Sequence, residues 1–207
     1  MNLSGIITSF IVFFGLLIIP MIVHEFAHAL VAYKLGDVTA KYSGRLTLNP
    51  LAHIDIFWTV LIPFIVFINT GLFIAAAKPV PINYRALKNP RRDIIWIGAS
   101  GPAANFIFAL FLGLLLKLVP QNALTTFIFI RLLYINVMLG VFNLIPIPPL
   151  DGSRVAMGLL PEKIASYYAR LEPYGLIIVV VLFFTGILGR IIWPLIEFIS
   201  RLLQYTV

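Results

Sequence analysis

The chain contains no cysteine. Disulfides, thiolate nucleophiles and cysteine-ligated zinc are thereby excluded, so any bound metal falls to His, Asp and Glu. Charge is scarce as well. Asp, Glu, Lys and Arg supply 11% of 207 residues, less than half of the roughly 25% found in a soluble domain. Only 8 residues are acidic and 3 are histidine, which leaves few positions for acid–base or metal chemistry. Repeats and low-complexity tracts are missing too, which excludes solenoid, collagen-like and disordered architectures. What the chain has is apolar surface: 61% hydrophobic residues and a mean hydropathy of +1.03. It has too little polar surface to stay in water and reads as a polytopic helical membrane protein. Its formal charge of +7 therefore speaks first of membrane topology and not of nucleic-acid binding.

A helix needs about 20 apolar residues to cross the hydrocarbon core. Four segments meet that length, near 5–33, 93–118, 124–145 and 173–189. The first lacks a basic flank and is too long for a cleaved signal peptide, so it is expected to remain as a span. A fifth apolar stretch, 54–77, is interrupted by Pro63 and by Asn69-Thr70-Gly71. The tail 190–206 carries Arg190, Glu197 and Arg201 and reads as a short span or an interfacial helix. Between the apolar segments, 36–53 has the β-formers and glycines of a short hairpin, and 78–92 is a loop rich in proline and basic residues. The expected fold is an all-α polytopic membrane protein of about five or six transmembrane or re-entrant helices. Short β-hairpin or loop elements are expected near 36–50 and 78–84. The chain reads as one domain over 1–207, with its core in 5–160 and C-terminal helices in 173–206.

Basic residues cluster in three loops. Lys34, Lys41 and Arg45 flank the first; Lys78, Arg85, Lys88, Arg91 and Arg92 lie in the second; Arg154, Lys163 and Arg170 lie in the third. The positive-inside rule puts all three on the cytoplasmic side of the cell membrane. Loops one and two share a side only if 51–77 enters and returns, with Pro63 and the Asn-Thr-Gly break as the place to turn.

Inside the first apolar segment stands His24-Glu25-Phe26-Ala27-His28. Ionisable side chains at membrane depth cost roughly 2.5–3.5 kcal/mol each on insertion scales, so three in five residues require a function. Positions 24 and 28 lie one turn apart on one helix face, where both imidazoles can reach a single zinc ion and Glu25 can act on a water as general base. A catalytic zinc usually takes a third protein ligand. It does not come from an extended helical motif, because position 31 is Val and position 34 is Lys. Among the remaining acids Asp151 stands out, at the end of Asn143-Leu-Ile-Pro146-Ile-Pro148-Pro149-Leu150-Asp151-Gly152. Three prolines interrupt a helix there, and irregular backbone at membrane depth is tolerated where it lines a wet cavity. The alternative for Asp151 is the N-cap of a short helix near 152–160.

HEFAH in one apolar helix with NLIPIPPLDG downstream resembles the site-2 protease family of intramembrane zinc metalloproteases. GRLTLNPLAHID (44–55), AKPVPIN (77–83), NPRRD (89–93) and SGPAAN (100–105) are similar to its compact bacterial branch, without PDZ or CBS domains. The resemblance implies that His24, His28 and Asp151 ligate one zinc, that Glu25 activates the water, and that Asn143 positions substrate or stabilises the oxyanion. It also implies regulated intramembrane proteolysis: hydrolysis in or near the transmembrane segment of a membrane-anchored protein or peptide, within the lipid bilayer. With the orientation set by the basic loops, both the first helix and the 124–145 helix run inward. The candidate residues then meet in the cytoplasmic half of a multi-pass protein.

Two further polar residues are secondary candidates. His53 reads as an alternative ligand or as a buried group bonded to Asp55 or backbone, and Asn105 as a neighbour of the site or a bridge between helices. Small residues at 98, 99, 101, 103 and 104 would let their helix approach the HExxH helix closely. An extended substrate is expected to add as a strand to an edge in 36–50 or 78–84. Two other classes compete with a protease. A membrane metal transporter would spread its ligands along a path, and an inactive homologue serving as a binding protein would be expected to lose Glu25 or a ligand.

Overall fold

The computed structural model describes residues 3–70, 77–120 and 122–205. Its first helix, α1 (Leu3–Lys34), is 32 residues long, roughly 48 Å at 1.5 Å per residue. It passes through Pro20 unbroken and ends at Lys34, two residues before Gly36, whose φ of +109° suits glycine. The basic α4 start is set by Pro90 at the first helical position and Asp93 in the first turn, and α4 runs Pro90–Leu118. Asn122 and Thr125 form a capping box that opens α5, Ala123–Asn143. Four stretches among the described residues are long and apolar enough to cross a membrane: Ser4–Lys34, Pro90–Leu118, Ala123–Asn143 and Glu162–Phe184. This agrees with an all-α membrane protein.

Two expectations require correction. No hairpin forms in 36–50, and no strand occurs among the described residues. The Asp37 carboxylate accepts the Thr39 N–H at 2.9 Å and starts a single helical turn, α2 (Thr39–Tyr42). The β-formers of this stretch therefore curl back against α1, with Ala40 buried beside Ala29 and Val80. Pro63 is also not the turning point of 54–77. Asp55 caps a widened, π-type helical stretch, Ile56–Leu61, by accepting the N–H groups of Phe57 and Trp58. That wide turn accommodates Pro63, and the helix continues as α3 (Ile62–Thr70). Of the Asn69-Thr70-Gly71 break, Gly71 lies outside the described residues.

The ends of 54–77 nevertheless meet. The Lys78 N–H donates to the His53 carbonyl at 3.0 Å, whereas a straight crossing would part them by about 30 Å. In between, α3 packs against the early turns of α1 through Phe64 and Phe67 on Phe10. Residues 77–83 then return without helix or strand. Asp37 accepts the Asn83 N–H at 2.7 Å, Tyr84 accepts from Arg154 Nη1 at 2.6 Å, and Arg91 Nη2 donates to the Leu160 carbonyl at 2.6 Å. The three basic loops are thus bonded to one another at one end of the bundle, as the charge pattern requires.

After α5 the chain runs through the proline-rich loop into α6 (Asp151–Leu159) and α7 (Glu162–Ala169). The expected division between a span at 173–189 and a tail from 190 falls earlier. Gly186, at φ +72°, separates α8 (Gly175–Phe184) from α9 (Ile187–Tyr205). Leu188, Ile192 and Ile196 of α9 share a core with Ala109 of α4 and with Leu133, Val137 and Val141 of α5. The tail is therefore packed along α5.

Glycine is obligatory where the proline loop closes on α6. A β-carbon at Gly152 would lie 2.1 Å from the Leu144 carbonyl oxygen and 2.6 Å from that of Ile145. Gly152→Ala must push the loop off the helix that begins at Asp151. Overpacking of this kind costs about 1–3 kcal/mol, so a lower midpoint in thermal or denaturant unfolding is expected. An unchanged midpoint would contradict this packing.

Candidate active site

Three helices and one loop bring the candidate residues together. Pro20 lies one turn before His24 on α1, and the helix carries His24 and His28 on the face toward α4. From Lys34 at the helix end, His28 is six residues and His24 ten, about 9 and 15 Å into the bundle. The loop after α5 doubles back through Pro146, Pro148 and Pro149 and delivers Asp151 at the first turn of α6. All three side chains are buried, with relative exposures of 5–8%.

Their polar atoms converge on one point. Asp151 Oδ2 lies 2.9 Å from His24 Nε2 and 3.1 Å from His28 Nε2, and the two Nε2 atoms are 3.0 Å apart. On the far side of the rings, His28 Nδ1–H donates to the Ile97 carbonyl at 2.7 Å, and His24 Nδ1 faces the Asn105 side-chain oxygen at 2.6 Å. Ser100 braces the first contact by donating to the same Ile97 carbonyl at 2.7 Å. A carbonyl only accepts, so the ring proton of His28 is fixed on Nδ1 and its Nε2 presents a lone pair. Two imidazole lone pairs and a carboxylate oxygen packed this closely repel unless they share a cation. Their separations approach the roughly 3.3 Å edge of a tetrahedral zinc site with Zn–N near 2.0–2.1 Å. Among the described residues this is also the group of His, Asp and Glu whose geometry suits a metal ion.

Space for an ion comes from a glycine. A β-carbon at Gly101 would stand 2.4 Å from His28 Nε2 and 2.6 Å from His24 Nε2, within the convergence point itself. The small residues of α4 divide their work accordingly: Gly101 faces the imidazoles, while Gly98 faces the Asp151 carbonyl and Arg154 on α6.

Glu25 is half-buried beside this cluster and outside it. Its Oε2 accepts the Val80 N–H at 2.9 Å from the irregular 77–83 segment. The Asn143 amide donates to the Leu139 carbonyl on its own helix at 3.0 Å. His53 is buried apart from the cluster. Its Nε2 bonds to the Thr47 carbonyl at 2.8 Å, and its Nδ1 has no partner among the described groups. The backbone bond expected for His53 is present, whereas Asp55 caps the following helix. Asn105 does both things considered for it, touching His24 and bridging to α5 through Asn136. Asn136, Ile97 and Val80 were not foreseen from the sequence, whereas Gly101 is one of the small residues expected to let α4 approach α1 closely. Asn136 carried the one available sign, a polar amide in an apolar helix.

The arrangement defines a class: a metallopeptidase whose HExxH helix is embedded in an apolar bundle. The profile of Peptidase family M50 matches residues 117–186, which include Asp151. The "Putative zinc metalloprotease YwhC" of Bacillus subtilis is 39% identical over 190 residues, covering 87% of this chain and 84% of that one. Rip2 of Mycolicibacterium smegmatis, named in the same way, is 31% identical, covering 84% of this chain and 66% of its own. Zinc metalloprotease MJ0392 of Methanocaldococcus jannaschii is 27% identical over 73% of this chain and 35% of its own. No solved structure matches the chain. The chain belongs to Peptidase family M50, the site-2 proteases, and is a peptidase.

Proposed function

We propose that this chain is an intramembrane zinc metalloprotease that cuts membrane-anchored substrates in or beside their transmembrane segments. The observation that carries this reading is the convergence of His24 Nε2, His28 Nε2 and Asp151 Oδ2 within 3.1 Å, deep in an apolar bundle. Those three residues would hold the ion. Zinc, when bound, acidifies a water and polarises the scissile carbonyl. Glu25 takes the proton of the attacking water and passes it to the leaving amine, so its carboxylate must be aimed, and the Val80 N–H aims it. Asn143 serves the substrate side. The Leu139 bond uses one of its two amide donors, and the other suits an oxyanion or a peptide carbonyl.

The basic loops support a cytoplasmic position for their end of the bundle. The site, about 9–15 Å from that end, then lies in the cytoplasmic half of the cell membrane, where water reaches it along the broken backbone of 143–150. On this reading 54–77 is re-entrant, since its ends meet at the bond from Lys78 to His53, and 1–207 acts as one domain. Substrate augmentation of a 36–50 edge has no strand to join. The 78–84 segment remains as the candidate edge, with Pro79 and Pro81 lacking N–H groups. The grouping of candidate ligands at one point argues against a transport path.

The test is to map the cut. In proteoliposomes loaded with zinc and a single-span reporter, mass spectrometry is expected to find new termini within or immediately beside the span. Cleavage confined to water-exposed segments, or zinc flux without cleavage, would overturn the proposal.

A further inference from the structure

We infer that Asn105 and Asn136 form an orienting relay that fixes the direction and tautomer of His24 and thereby sets the affinity of the site for zinc. The inference rests on the proposed role of His24 as a metal ligand, and its subject is what stands behind that ligand.

The relay is a chain of bonds with one permitted direction. Asn136 Nδ2 donates to the Leu132 carbonyl at 2.8 Å, which turns its Oδ1 toward α4. Asn105 Nδ2 donates to that Oδ1 at 3.0 Å and to the Pro20 carbonyl at 3.2 Å. Backbone carbonyls cannot donate, so neither amide can flip without facing oxygen to oxygen. Asn105 must therefore present Oδ1 to His24, at 2.6 Å. The proton of His24 is thereby confined to Nδ1, and Nε2 points its lone pair at His28 and Asp151. Both asparagines have zero exposure. An unmade bond in this chain would be costly, which is what holds the direction. His28 obtains the same result directly from the Ile97 carbonyl. His24 obtains it from two side chains on two other helices, so the packing of α1, α4 and α5 is read out as the orientation of one ligand. Asn136 is a positioning residue two hydrogen bonds from His24.

A purely architectural role for these amides, bridging helices, predicts something different. Aspartate at 105 keeps an acceptor for His24 but cannot donate to Asn136 or to Pro20. The experiment is zinc affinity, by competition with a chromophoric chelator on the full chain in nanodiscs, beside the thermal midpoint of the metal-free protein. Asn105→Leu is expected to weaken zinc binding about 10–100-fold, the range for loss of a partner behind a ligand. Asn105→Asp is expected to lower the midpoint while binding zinc close to wild type. Asn136→Leu is expected to weaken zinc binding severalfold when Asn105 is present and to have no effect on it in the Asn105→Asp background. Wild-type affinity in Asn105→Leu, or Asn105→Asp binding as poorly as Asn105→Leu, would overturn the relay. Should Asn105→Leu fail to fold, the Asn105→Asp and Asn136→Leu pair still decides. His24→Ala separates the two layers: undiminished zinc affinity in that variant would remove the site reading itself, whatever the asparagines do.

Discussion

Gly101→Ala is expected to abolish zinc binding and, with it, all proteolysis. A β-carbon at this position falls 2.4–2.6 Å from the two imidazole nitrogens, nearer than any carbon can approach and inside the space the ion needs. The helix cannot simply retreat. Its next turn is tied to His24 through Asn105, and the preceding turn is tied to His28 through the Ile97 carbonyl. A single methyl group must therefore displace either the ligands or the ion. Gly15→Ala is the matching control, because no atom lies within 4 Å of the β-carbon there. That variant should bind zinc as wild type does and gain about 0.5–1 kcal/mol from the better helix former. Zinc content by inductively coupled plasma mass spectrometry compares the two. A full zinc complement in Gly101→Ala would mean that the ion sits elsewhere.

Glu25→Gln is expected to leave zinc bound and to lower cleavage about 10²–10⁴-fold, the usual contribution of a positioned base. Glutamine matches glutamate in size and keeps an oxygen to accept the Val80 N–H, so the 77–83 segment should stay in place. What it lacks is the capacity to take a proton. Loss of zinc together with activity would instead show that Glu25 supports the ligands. Unchanged cleavage would place the base elsewhere, and the half-buried position of Glu25 beside the cluster would then have no role in the chemistry.

Much of this site could be read from the sequence because it is local. The two histidines and the glutamate share one helix, and the four-residue spacing fixes their common face whatever surrounds them. Asp151 was recognisable because three prolines and an acid do not occur in an apolar run without a reason. The convergence of the basic loops was readable too, since membrane topology is written in charge. What escaped is non-local. The small residues of α4 announced a close approach, but that Gly101 among them faces the imidazoles, and that Asn136 lies at the height of His24, depends on helix register across a bundle, which is not encoded in any one helix. The expected hairpin in 36–50 failed because β-propensity describes a fit to neighbouring strands. Here Asp37 offered the backbone a helical turn first. Pro63 was misjudged for a related reason: a proline breaks a regular helix, but the wide turn after Asp55 removes the clash. At Gly186 a single positive φ divided an apolar run that composition alone joined.

The most direct test of the account is the zinc-to-protein ratio of purified Asp151→Ala beside wild type, measured after dialysis against a moderate chelator. Asp151 is the distant member of the set, 123 residues beyond His28, and only the folded arrangement described above gives it a part in holding metal. The account predicts one zinc per wild-type chain and a ratio near zero in the variant. An equal ratio in both would contradict a site built from His24, His28 and Asp151.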